Sequence, residues 1–190
     1  HAVCRAGAEI AKIEVPEDPK TTFTIGTIKG GTTVNTIAAH CEVDVDIRST
    51  DNTELKKVED AVLAAFEKAV KEENERWPNA LPETHLKVTT TQIGNRPAGL
   101  RPHDCPVLQS ARAAQTALGI ELTNYGLSSA DANAAMSLNI PSTCLCSGGK
   151  GIGAHTLKEH FVFEKTELGP KLILLTALAL AGTSDTKPLL

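Results

Sequence analysis

The residues best suited to chemistry lie in Ser147 to His155, SGGKGIGAH, where four glycines follow an apolar run, Ser142 to Cys146, and end in an imidazole. Glycines let a backbone approach a ligand closely and adopt positive φ, and an imidazole serves as metal ligand or general base. If the apolar run is a strand, His155 stands just past its carboxyl end, where α/β sheets bind ligands. The bland alternative is a flexible loop with a surface histidine. A phosphate-binding reading of GGKGIG is weaker, because the G-x-x-x-x-G-K-[ST] order that places a lysine on phosphate and a hydroxyl on magnesium is absent.

A second cluster, Leu127 to Pro141 (LSSADANAAMSLNIP), puts Ser128, Ser129 and Asp131 at an expected helix start. Amides there can hold an anion, or Ser129 or Asp131 can simply cap the helix. A third pairs Asn35, on a turn after Gly30-Gly31, with Arg48 at the end of the following strand. A guanidinium forks a carboxylate bidentately and a carboxamide donates beside it, although an arginine at a strand end is commonly just solvated. His1, His40, His85, His103 and His160 form no metal-ligand spacing with one another. Neither H-E-x-x-H nor G-x-S-x-G occurs.

These groups need elements to position them. Val3, Ala6 and Ile10 fall at helical spacing over residues 2 to 12, before Pro16. Phe23, Ile25 and Ile28 alternate imperfectly with threonines over Thr21 to Ile28, and Ile37, Cys41, Val43, Val45 and Ile47 over Thr36 to Arg48, predicting two antiparallel strands. Asp51 or Asn52 caps a helix in which Leu55, Val58, Val62, Phe66 and Ala69 recur out to about Trp77. A third strand is expected over His85 to Ile93. Beyond GNRPAG, Gly94 to Gly99, the pattern predicts a helix (Val107 to Leu118), a short strand (Ile120 to Thr123), a helix (Ala132 to Leu138), an apolar strand (Ser142 to Cys146) and a final helix (Glu167 to Ala181). The fold class expected is α/β: an α+β sandwich on an antiparallel sheet, then part of an α/β layer.

The whole chain has 190 residues, 41% apolar, with 19 basic and 23 acidic side chains and a net charge of −4. That composition is globular and points to no nucleic-acid partner. Six aromatic residues leave little for base-stacking platforms, so aliphatic side chains must supply the core. Five scattered cysteines without C-x-x-C spacing read as small buried hydrophobes in a reducing, cytoplasmic compartment. The longest apolar run, Leu172 to Ala181, falls well short of a membrane span, so no membrane partner is expected.

Taken in order, GGTTVNTIAAHCEVDVDIRS, the long helix, GNRPAG, SSADANAAMSLNIPS and GGKGIGAHTLKEHF resemble the co-catalytic zinc metallopeptidases and amidohydrolases: peptidase T, carboxypeptidase G, acetylornithine deacetylase and the aminoacylases. The resemblance implies a lid and dimerisation domain over residues 1 to 95, lacking its first strand, and the C-terminal half of the catalytic domain over 96 to 190. It implies His155 as a zinc ligand, and Asn35, Arg48 and Ser129 as residues contacting a small peptide or N-acyl amino acid. A homodimer through the lid is implied as well.

In that family two zinc ions activate a bridging water, a glutamate takes its proton, and the hydroxide attacks an amide carbonyl. The His-x-Asp pair, the bridging Asp, the Glu-Glu pair and the further acidic ligand have no match here, so the chain by itself is expected to be inactive. It is also expected not to be self-sufficient in solution. The competing expectation is a non-catalytic dimerisation module on the lid fold, and a nucleotide-binding α/β protein ranks below both.

Overall fold

A computed structural model describes residues 1–121, 125–146 and 148–189. The described residues form a mixed α/β structure of five α-helices and two small antiparallel sheets, divided into two compact units, His1–Gly99 and Leu100–Leu190.

The first unit opens with α1 (Ala2–Ile10), followed by strands β1 (Thr21–Gly30) and β2 (Cys41–Ser49), helix α2 (Asn52–Glu75) and a short 3-10 turn at Pro82–Thr84. Its strands pair antiparallel, Phe23 opposite Ile47 and Ile25 opposite Val45. The imperfect alternation in the sequence has a physical cause. The register shifts between Ile25 and Thr27, so Gly26 is an extra residue, and Ile28 then faces Val43 on the same side as Phe23 and Ile25. Phe23, Ile25, Val45 and Ile47 of that face pack with Ile13, Val15 and Phe66 around a core of Ile10, Val58, Val62 and Ala65. Helix α2 starts where Asp51 accepts the amides of Thr53 at 2.8 Å and Glu54 at 2.9 Å. Those bonds hold the Asp51 carboxyl below its ordinary value, the Glu54 amide contributing most.

Helices α1 and α2 run antiparallel, as their ion pairs show. Arg5 and His1, early in α1, reach Glu73 near the end of α2, while Glu9 at the far end of α1 meets Lys68 at 2.9 Å.

The third strand expected over His85 to Ile93 does not form, because no neighbouring strand pairs with it among the described residues. Two asparagines stand in for one. Asn74 accepts the Leu86 amide at 2.8 Å and donates to the Leu86 carbonyl at 3.0 Å. Asn52, at the other end of α2, does the same for Ala98 at 3.0 and 3.4 Å. The helix between these anchors is about 33 Å long, and twelve residues of extended chain reach about 40 Å, so the segment must run nearly straight.

The second unit holds α3 (Pro106–Ala117), α4 (Ala132–Ser137), strands β3 (Lys150–Ile152) and β4 (His160–Val162), and α5 (Leu168–Ala181). Val107, Ser110, Ala111 and Ala114 of α3 are buried where that helix packs against α5, which buries Gly169, Leu172 and Thr176. Helix α5 is apolar all round, so Ile173, Leu174, Leu175 and Leu178 remain exposed. No helix among the described residues is long and apolar enough to cross a membrane.

One strand expected in this unit does not form. The run Ser142 to Cys146 is not a strand, and the extended structure lies instead inside the glycine-rich segment, as the β3–β4 hairpin. Half of the strand expected at Ile120 to Thr123, positions 122 and 123, lies outside the described residues. The cysteines are not buried either: Cys4, Cys41, Cys144 and Cys146 are exposed and Cys105 is intermediate. Cys41, for example, stands opposite Gly30 at the far end of the hairpin, beyond the part the helices cover.

Candidate functional site

Asn35 sits in loop 31–40, which joins β1 to β2. The reversal requires glycine at its start, since a Cβ on Gly30 would lie 2.7 Å from the His40 carbonyl oxygen and Gly31 has φ +77°. Thr33 Oγ1 donates to Asn35 Oδ1 at 2.9 Å, so the group Asn35 offers outward is its Nδ2 donor. Val34 and Ile37 in the same loop are fully solvated, 108% and 95% exposed.

Arg48 occupies the opposite end of the hairpin, across from Thr22. Six residues of strand separate it from Cys41, which places it roughly 20 Å from the Asn35 loop. The two side chains do not meet within one copy of the chain. Sequence alternation puts Asp46 and Arg48 on the same face, and Arg48 Nε donates to Asp46 Oδ2 at 2.6 Å. The pair is exposed and contributes little to stability, on the order of 0–1 kcal/mol. The terminal guanidinium nitrogens remain for a second carboxylate.

Ser129 is exposed on the segment leading into α4. Asp131 stands at the N-cap without a side-chain capping bond, and the Ala130 amide instead donates to Asn133 Oδ1 at 3.0 Å. With only six residues, α4 has too short a dipole to hold an anion by its N-terminus. Its other end is fastened by Arg101, whose Nη2 donates to the Ile140 carbonyl at 2.9 Å and whose Nη1 donates to Asn139 Oδ1 at 3.2 Å. Asn139 has φ +59°, a conformation asparagine tolerates.

His155 lies in the loop between β3 and β4, exposed, with φ +65°. For a non-glycine residue that backbone costs roughly 1–2 kcal/mol. Bonds around it offset the cost: Thr156 Oγ1 donates to the Gly153 carbonyl at 2.7 Å, the Glu159 amide to the Thr156 carbonyl at 3.1 Å, and the His155 amide to Glu159 Oε2 at 3.1 Å. The nearby His160 is occupied, its Nδ1 bonded to the Lys158 carbonyl at 2.9 Å.

The glycines before His155 serve packing. A Cβ on Gly149 would fall 2.5 Å from the Phe161 ring, and one on Gly148, which has φ +81°, would fall 2.7 Å from the Thr166 carbonyl oxygen and 2.9 Å from the Gly169 amide. They let the hairpin close beneath Phe161 and lie against the start of α5.

Among the described residues, no three His, Cys, Asp or Glu side chains gather closely enough to hold a metal ion. The residues present therefore do not make a zinc site by themselves, and His155 stands as a single imidazole.

Two features escaped the sequence analysis. One is the asparagine anchors, whose type gives no signal inside a helical pattern. The other is Glu159, four residues beyond His155 across a tight turn, where the H-x-x-x-E spacing was the available sign.

Helix, hairpin and long helix, with the hairpin's apolar face packed on both helices, form the part of the chain that comparison recognises. Residues 2–78 match M20_dimer, the peptidase dimerisation domain. The matched residues span α1, β1, β2 and α2. The match supports the M20 peptidase family, and a domain of that description supports homodimer formation. No curated protein matches the chain.

Proposed function

We propose that this chain combines the dimerisation domain with part of the catalytic domain of a zinc-dependent peptidase or amidohydrolase. The reaction is cleavage of a peptide or N-acyl amide bond in a small carboxylate-bearing substrate. The observation that carries the proposal is the match of residues 2–78 to the peptidase dimerisation domain. The order of the later motifs, SSADAN and then GGKGIGAH, supports extending it to the remainder of the chain.

In this reading residues 1 to about 95 are the lid and about 96 to 190 belong to the catalytic domain. Arg48 binds the substrate carboxylate and Asn35 donates to the substrate from the other end of the hairpin. Their separation means that they serve one substrate only when two copies of the chain contact it, which accords with a homodimer. Ser129 adds a contact near the carboxylate, and His155 supplies one metal ligand. The other ligands and the general base come from residues other than those described. The odd, scattered cysteines support a cytoplasmic setting.

The test is hydrolysis of dipeptides and N-acyl amino acids by the protein in its full natural length, with and without a chelator. Chelator-sensitive hydrolysis supports the proposal. Absence of hydrolysis together with a stable dimer leaves the dimerisation module as the function.

A further inference from the structure

We propose that Glu159 is a positioning residue, whose carboxylate holds the His155 backbone in the left-handed conformation that sets the direction of the imidazole. The inference rests on the reading of His155 as a functional group. Its basis is the bond from the His155 amide to Glu159 Oε2 at 3.1 Å, made at one of three non-glycine residues with positive φ among those described.

The His155 N–H lies in the peptide plane before its Cα and the Thr156 N–H in the plane after it. With the first held by Glu159 and the second by the Gly153 carbonyl, the dihedrals between them are fixed, and with them where the imidazole starts. Glu159 is itself well placed to be that fixed point. It directly precedes His160, which pairs with Ile152 in the β3–β4 ladder, and its own amide is bonded to Thr156. Thr156 in turn is bonded to Gly153 through both its amide, at 3.0 Å, and its hydroxyl. The chain from the strand to the imidazole is thus continuous: ladder, Glu159, His155.

Hydrogen–deuterium exchange at the His155 amide, in the whole chain, tests this. Glu159→Ala should raise the exchange rate about tenfold, the loss of one such bond. Glu159→Gln, which keeps an oxygen at the same reach, should restore most of the protection. Glu159→Asp, which keeps the charge but withdraws it by one methylene and leaves the hairpin sequence otherwise intact, should lose it. Unchanged exchange in Glu159→Ala, or protection retained by Glu159→Asp and lost by Glu159→Gln, would overturn the proposal. The readout needs neither metal nor substrate. Activity of His155→Ala tests the functional reading separately, so each can fail without the other.

Discussion

Arg5 Nε donates to Glu73 Oε2 at 2.9 Å, and the receiving carboxylate is only 6% exposed. The bond ties the first helix to the last turns of the second, and Trp77 Nε1 and His1 Nδ1 contact the other oxygen at 3.2 and 3.1 Å. Arg5 above all holds the Glu73 carboxyl below its ordinary value of 4.5. Glu9, bonded first to Lys12 and then to Lys68, is lowered to about 2. A carboxylate lowered in the folded state stabilises it fully above its unfolded value and ceases to do so as pH falls through the folded one. Thermal melting followed by circular dichroism should be flat above about pH 5 and fall from there toward pH 2. Glu73→Gln should melt lower at neutral pH and show a shallower acid decline, and an unchanged profile would contradict the assignment.

Asn52 and Asn74 should matter in proportion to the backbone they satisfy. Replacing either by alanine strips two bonds from the extended segment and should cost about 1–2 kcal/mol. Amide exchange should rise at Ala98 for Asn52→Ala and at Leu86 for Asn74→Ala. Faster exchange throughout the segment from either change alone would show that the two anchors are not independent.

The contrast between that segment and the hairpin shows what was legible in the sequence. The three-to-four spacing of Val58, Val62, Phe66 and Ala69 marked the long helix, and the alternation of Val43, Val45 and Ile47 marked β2, because each lays a continuous face against local partners. The strand expected from Thr36 begins only at Cys41, and Ile37 lies in the loop before it, 95% exposed. His85 to Ile93 alternates as well, but strand formation depends on a neighbour, and the alternation carries no record of whether one is present. The three-residue strands beside His155 were hidden because glycines erase the side-chain pattern. The candidate residues were visible by type, and their placement was not. Nothing in the positions of Asn35 and Arg48 discloses that a hairpin holds them at opposite ends.

Gly148 should resist substitution. An alanine there would keep a positive φ and press its Cβ on backbone atoms of 165–169. A loss of roughly 1–3 kcal/mol is expected in denaturant unfolding of Gly148→Ala. A variant of unchanged stability would mean that the hairpin does not rest on the start of α5.

Association should depend on exposed apolar groups that no fold contact uses. Val34 and Ile37 contribute nothing to the interior of the unit that carries them, yet water is a poor environment for both. Sedimentation velocity should find the chain dimeric or larger. Val34→Asp combined with Ile37→Asp should shift it toward monomer, with a melting temperature that no longer rises with protein concentration. A wild-type chain that sediments as a monomer would contradict the expectation.

Zinc content measured alongside amide hydrolysis tests the account most directly, in the protein of full natural length and its His155→Ala variant. The account predicts that the variant loses at least about tenfold in zinc affinity and loses hydrolysis with it. Full zinc occupancy and undiminished hydrolysis in His155→Ala would contradict it.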